Sequence, residues 1–141
     1  MRRPVKLRLH HIGMVVADVA ASSELYCRRF GYTPGDGPLH DPKQQAMVQF
    51  LRLTSDSVDL ELVSPDSAGS PLHAALTQKH PLHHICYSTE DIEAACRDLQ
   101  SEGMTLIRSP VEAIAFGGRR VAWLMAKDRL LVEVLEAGGT A

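Results

Sequence analysis

The tetrapeptide Leu-His-His-Ile occurs twice in this chain, at residues 9–12 and again at 82–85. Imidazole serves both as a metal ligand and as a proton carrier near neutral pH. Two further segments each hold one glutamate between apolar neighbours, Asp-Leu-Glu-Leu-Val at 59–63 and Leu-Val-Glu-Val-Leu at 131–135. A carboxylate in such a setting is costly to bury unless something pairs it. Two imidazoles and two carboxylates suit a divalent transition metal. Coordination positions left open for water or substrate would make that metal a Lewis acid.

These residues are ordered by an internal repeat. His84 follows His11 by 73 residues, Asp91 follows Asp18 by the same interval, and Glu133 follows Glu61 by 72. Two anchors half a chain apart thus agree to within one residue, which marks a duplicated supersecondary unit. Each copy puts one histidine on its first strand and one glutamate on its last. An approximate two-fold axis between the copies would bring His11, Glu61, His84 and Glu133 to one place. Alternation supports this, because Leu9, His11, Gly13 and Val15 share one strand face. A lone histidine on an apolar strand is usually a packing residue. Four residues related by a repeat shift the balance to a metal site. His10 and His83 have the opposite parity and are read as packing or surface residues. His40, His73 and His80 receive no role.

The elements that would position these groups follow from periodicity. Each copy reads as an apolar strand, an aspartate, a helix and then alternating strands. The first helix is expected at roughly 19–30, with Asp18 as N-cap, Gly31 as stop, and Val19, Ser22, Tyr26 and Phe30 on one face. The second is expected at roughly 92–102, with Ile92, Ala95 and Leu99 on one face and Gly103 as stop. Strands are expected at 46–53, 57–64, 104–109, 119–126 and 130–137, with turns at 55–57 and at Ala-Lys-Asp-Arg. Residues 34–43 and 110–118 read as matching loops. A Ser/Pro/Gly-rich linker carries a short helix around Pro71–Gln78. The fold class is therefore α+β, with module one at about 7–64, a linker at about 65–81 and module two at about 82–137.

Bulk properties fit a single domain over residues 1–141. With 45% hydrophobic and 23% charged residues and a net charge of −2, the chain is an ordinary soluble type with no basic surplus for nucleic acid or an anionic membrane. The segment Arg-Arg-Pro-Val-Lys-Leu-Arg at 2–8 reads as a solvated tail. No apolar run has signal-peptide or membrane-spanning length. Three cysteines and no Cys-x-x-Cys point to a reduced, cytoplasmic protein. Trp123, Phe50, Met14, Met47, Met104 and Met125 read as core or cavity wall. Gln44 and Gln45 are either substrate hydrogen-bonders or edge-strand surface. Arg119 and Arg120 point opposite ways, so at most one can enter a cavity, where it could hold a carboxylate or phosphate.

Several segments together carry a family resemblance: HIGMVV, SDSVDLELVSP, SPLHAAL, LHHICYSTEDIEAA, GGRRVAWL and LVEVLE. The chain resembles the vicinal oxygen chelate superfamily, which includes glyoxalase I, bleomycin-resistance-type binders, extradiol dioxygenases and methylmalonyl-CoA epimerases. It is most similar to the epimerase-like branch. The resemblance implies paired βαβββ modules whose curved mixed sheet forms a cleft around a metal site. It implies His11, Glu61, His84 and Glu133 as ligands of one divalent ion, with cobalt, nickel, manganese, iron and zinc all suited. It implies an enzyme, an isomerase or epimerase that removes an α-proton from a small acyl substrate, free or as a thioester, through a metal-stabilised enolate. Glu133 and Glu61 are the candidate bases, and Gln44, Arg119 and Arg120 the candidate substrate contacts. A homodimer is implied by the resemblance alone. A glyoxalase-like lyase and a non-catalytic small-molecule binder stand as alternatives. The chain departs from the epimerase pattern at one place. A further carboxylate is expected near QAMVQF, and Val48 stands there.

Overall fold

The computed structural model describes residues 5–77 and 81–138. The chain divides into two compact units, one from His11 to His83 and the other from His84 onward together with the segment ending at His10.

The first unit begins on β1 (Arg8–Val15), where burial alternates so that His11, Gly13 and Val15 are inside. Helix α1 (Val19–Phe30) follows. Its N-cap is Asp18, whose Oδ1 accepts from the amides of Ala20 and Ala21 at 2.9 and 3.2 Å. It stops at Gly31, where φ is +81°, a conformation that costs glycine little. Next come β2 (Thr33–Pro34), β3 (Leu39–Asp41), β4 (Ala46–Arg52) and β5 (Asp59–Pro65). The strand order is β2-β4-β5-β1, with β3 also paired to β4. Strands β1 and β5 run parallel, while β4 and β5 are antiparallel. Val19, Leu51, Leu60 and Leu62 form the core, with Tyr26, Cys27 and Met47 packed against it. Helix α2 (Leu72–Leu76) has proline just before its first residue. The expected helix ran to Gln78, which, like His80, lies outside the described residues.

The second unit repeats the plan. It consists of β6 (Leu82–Thr89), α3 (Ile92–Ser101), β7 (Thr105–Glu112), β8 (Arg120–Met125) and β9 (Leu131–Glu136), in the order β6-β9-β8-β7. Asp91 caps α3 by accepting from Ala94 N at 3.0 Å. The helix ends in a Schellman arrangement: Gly103 N donates to Gln100 O and Met104 N to Leu99 O, both at 3.1 Å, with Gly103 at φ +99°. Ile92, Ala95, Cys96, Ala122, Leu124, Val132 and Val134 make its core.

The α+β class and the βαβββ plan are as the sequence predicts. Four local expectations change. Residues 34–43 were read as loop, yet Thr33–Pro34 and Leu39–Asp41 are short strands on β4. Residues 110–112 belong to β7, because bulges let that strand keep pairing with β8 as far as Glu112. Phe30 does not join the core of α1. It is 59% exposed and meets the ring of Tyr26 edge-on, with centroids 5.6 Å apart. The N-terminal segment is more than a solvated tail. Val5 and Leu7 pack on the core of the second unit, and Val5 N donates to Asp98 Oδ2 at 2.8 Å.

Candidate metal-binding and catalytic site

In the first unit β1 and β5 pair so that Gly13 lies opposite Glu61. Directly opposed residues point to the same face, so His11, two positions before Gly13, shares that face with Glu61. Nε2 of His11 lies 3.4 Å from Oε1 of Glu61, with both side chains almost wholly buried. Phe50 on β4 is the cross-strand partner of Glu61. Its ring meets His11 edge-on, with centroids 5.2 Å apart at 84°.

The second unit builds the same arrangement. Cys86 on β6 lies opposite Glu133 on β9, and His84 stands two positions earlier. Nε2 of His84 is 3.4 Å from Oε1 of Glu133. Trp123 on β8 is the cross-strand partner of Glu133. Its rings sit edge-on to His84, 4.9 Å apart at 81°. His, Glu and aromatic thus recur in one register in both units. The aromatics pack edge-on against the imidazoles, a contact that their reading as core or wall did not include. The spacing held the clue, since Trp123 follows Phe50 by the same 73 residues that separate the histidines.

Each pair has the chemistry of a half-site for a metal. Ligand atoms about 2.1 Å from one ion and about 109° apart are about 3.4 Å from each other. The observed separations are 3.4 Å in both units. Neighbours on the opposite face of each glutamate, Leu60 and Leu62 or Val132 and Val134, are apolar and buried.

The two arginines part company by alternation. Arg120 faces α3, where Nη1 donates to Glu93 Oε1 at 2.6 Å and Nη2 to Glu136 Oε2 at 2.7 Å. These hydrogen bonds hold both carboxyls below their usual range and raise the guanidinium further. Arg119 falls on the alternate side with Val121 and Trp123. Its Nε donates to Phe116 O at 3.2 Å, and its guanidinium lies 5.8 Å from the Phe116 ring centre. Gln44 lies in the turn between β3 and β4, its backbone amide donating to Asp41 Oδ1 at 3.2 Å. Its side-chain Nε2 is buried with no hydrogen-bond partner among the described residues. Asp41, which sequence reading passed over, is only 2% exposed and anchors this turn. Its place in Asp-Pro-Lys-Gln, a turn-like sequence, was the available signal.

Residues 10–123 match the model of the glyoxalase/bleomycin resistance protein/dioxygenase superfamily. The chain belongs to this superfamily. Within it, the kinship is with enzymes. The ethylmalonyl-CoA/methylmalonyl-CoA epimerase of Cereibacter sphaeroides is 34% identical over 124 residues, covering 86% of this chain and 90% of that one. The mitochondrial methylmalonyl-CoA epimerase of Homo sapiens is 32% identical over 138 residues, covering 92% and 74%. Among solved structures, a hypothetical protein from Bacillus halodurans has the same fold, with a TM-score of 0.83 at 24% identity over 96% of this chain and 98% of that one. A variant of the Streptomyces coelicolor methylmalonyl-CoA epimerase in complex with 2-nitronate-propionyl-CoA gives a TM-score of 0.80 at 25% identity, over 94% and 96%.

Proposed function

We propose that this chain is a metal-dependent epimerase of a small 2-substituted acyl thioester. The observation that carries the reading is the doubled His–Glu–aromatic arrangement, set in equivalent registers in both units. In this proposal His11 and Glu61 from one unit and His84 and Glu133 from the other are the four ligands of one divalent ion, cobalt, nickel, manganese, iron or zinc. Such an ion, held by these residues, would supply Lewis-acid stabilisation of negative charge on a substrate oxygen.

The chain's own residues do the rest. A carboxylate oxygen of Glu133 or Glu61 takes the α-proton and returns it, on either face, to give the other epimer. Strand β4 offers no further carboxylate on this face. Val48 stands two positions from Phe50, opposite Val63, and is 4% exposed. The proposal accordingly gives proton transfer to the two glutamates. Trp123 and Phe50 hold the imidazoles in orientation. In this proposal Arg119 is the arginine that meets a substrate carboxylate, because Arg120 is held by Glu93 and Glu136. The buried Nε2 of Gln44 is a donor that a substrate carbonyl could satisfy. The epimerase relatives supply the substrate class, a malonyl-type CoA thioester.

The same reading takes residues 1–141 as one domain, acting as a cytoplasmic homodimer. Among the described residues no helix is long and apolar enough to cross a membrane, and all three cysteines are free thiols. The test is the metal content of untagged protein, by plasma mass spectrometry, for the wild type and a Glu61→Ala, Glu133→Ala double variant. The proposal expects about one transition metal per wild-type chain and loss in the variant. A wild type that holds none after incubation with each of the five ions overturns it.

A further inference from the structure

Asp41 is a buried carboxylate that the proposed reaction leaves unused. It ends β3, is 2% exposed, and accepts through Oδ1 from the amides of Lys43 and Gln44 at 3.1 and 3.2 Å. A surface turn closes equally well on an exposed aspartate or asparagine, so burial of the charge calls for a reason.

The register of the sheet gives its direction. Asp41 pairs with Ala46, and Ala46, Val48 and Phe50 pair with Pro65, Val63 and Glu61. Directly opposed residues point to one face, so Asp41 lies on the face that carries Glu61 and His11. Its hydrogen bond from Gln44 N draws the turn over that face. Pro42, Lys43 and Gln45 stay exposed, whereas Gln44 is half-buried. The far side of the turn is held as well. Asp66 N donates to Gln45 O at 3.1 Å, and the Asp66 carboxylate meets His40 Nε2 at 2.8 Å.

By the 73-residue interval of the repeat, Gln44 and Gln45 correspond to Gly117 and Gly118. Both glycines take positive φ, +64° and +88°, which costs them little. Gln45 takes φ +54°, where a side chain is unfavourable. The first unit therefore keeps a strained glutamine where the second uses glycine. Strain of this kind persists only where its surroundings enforce it, and it gathers at functional sites. The group that the strained turn delivers is the Gln44 amide. Its Nε2 is buried with no hydrogen-bond partner among the described residues. An unsatisfied buried donor is costly, and a substrate oxygen would satisfy it.

We infer that Asp41 is a positioning residue, whose buried carboxylate holds the turn at 41–45 so that Gln44 Nε2 stands over the Glu61 face as a donor to a substrate oxygen. The inference rests on the epimerase reading for the identity of the substrate. Asp41 itself touches no substrate. The bond from Gln44 strengthens as negative charge gathers on that oxygen, so its loss falls on kcat.

The test is a double-mutant cycle, Asp41→Ala against Gln44→Leu, in metal-loaded protein with methylmalonyl-CoA, after melting curves confirm folding. Each single variant should lose about tenfold in kcat, the worth of one hydrogen bond, with KM held within about twofold. The double variant should also lose about tenfold, because Asp41 acts only through Gln44. Asp41→Asn should regain most of the loss, since its amide oxygen still accepts from Gln44 N. Losses that multiply to about a hundredfold, or no loss in Gln44→Leu, overturn the inference. Asp41→Ser, with a weaker acceptor, takes the place of Asp41→Ala if that variant does not fold. Solvent exchange of the Gln44 side-chain amide hydrogens, followed by nitrogen-15 NMR, gives a readout free of turnover. In the wild type it should be slower than at the exposed Gln45, and in Asp41→Ala it should match Gln45. Equal Gln44 rates in wild type and variant overturn the inference. If no thioester is turned over while the exchange pattern holds, the epimerase reading fails and the positioning of Gln44 by Asp41 stands.

Discussion

Replacing Glu133 by glutamine separates a metal ligand from a structural ion pair, because glutamine keeps the shape and removes the charge. If the contact between His84 and Glu133 serves chiefly as a buried ion pair, breaking it costs about 3–5 kcal/mol. For a chain of 141 residues, 1 kcal/mol moves the melting temperature by about 4 °C. The metal-free variant would then melt about 12–20 °C below the metal-free wild type. The metal-site account gives a different pattern. The N···O separation is 3.4 Å, beyond the usual range of about 2.7–3.2 Å for an N–H···O bond. A short His84–Glu133 hydrogen bond is therefore not among the losses, and the buried negative charge is removed. The metal-free variant should melt within about 4 °C of the wild type. Metal at about 100 times its Kd adds about 2.7 kcal/mol, or about 11 °C, to the wild type. The variant should gain less than a third of that. Scanning calorimetry of chelated and metal-loaded protein reads both quantities. A drop of more than 12 °C without metal, combined with a wild-type-sized metal shift, would refute the reasoning.

Other perturbations probe separate links. Trp123→Ala removes the ring packed on His84; an edge-to-face contact is worth about 0.5–1.5 kcal/mol, so metal affinity by calorimetric titration should fall about 2- to 10-fold, with Trp123→Phe restoring most of it. Arg120→Ala tests the pair of carboxyls that its hydrogen bonds hold below the usual 4.5. A depressed carboxyl stabilises the fold above its unfolded value and ceases to do so as pH falls through the folded one, so denaturant midpoints of wild type and variant should differ at pH 7 and converge below pH 4.5. Leu124→Ala, at a side chain with 0% exposure, should cost about 2–5 kcal/mol in urea unfolding. Asp18→Ala removes the acceptor for Ala20 N and Ala21 N and should cost about 1 kcal/mol.

The parts of this structure that were legible in the sequence are those governed by local rules. Asp18 and Asp91 announce helix starts because their side chains compete for backbone amides, and Gly31 and Gly103 announce stops because they alone adopt positive φ cheaply. An internal repeat combined with strand alternation singled out His11, Glu61, His84 and Glu133 as one set, and within each unit the histidine and the glutamate lie side by side. Elements fixed by pairing were not legible. Strands β2 and β3 comprise two and three residues in a Pro/Gly-rich stretch, and they exist because β4 offers them an edge. Tyr26 and Phe30 look equivalent by helical spacing, yet Tyr26 packs on the core with Cys27 while Phe30 stays exposed. The assignment of Arg120 to the α3 side needed Glu93 and Glu136, partners far away in sequence. Val5 and Leu7 sit among four basic residues, and charge masked their packing role.

Deuterium exchange tests the central claim most directly. Methylmalonyl-CoA in deuterium oxide would be incubated with chelated protein, metal-loaded protein and the Glu61→Ala, Glu133→Ala variant exposed to the same metal, with mass spectrometry reading the α-position. The account predicts enzyme-dependent incorporation of one deuterium with the metal-loaded wild type, and only the uncatalysed background with the other two. Background incorporation in all three, at full metal occupancy of the wild type, would contradict it.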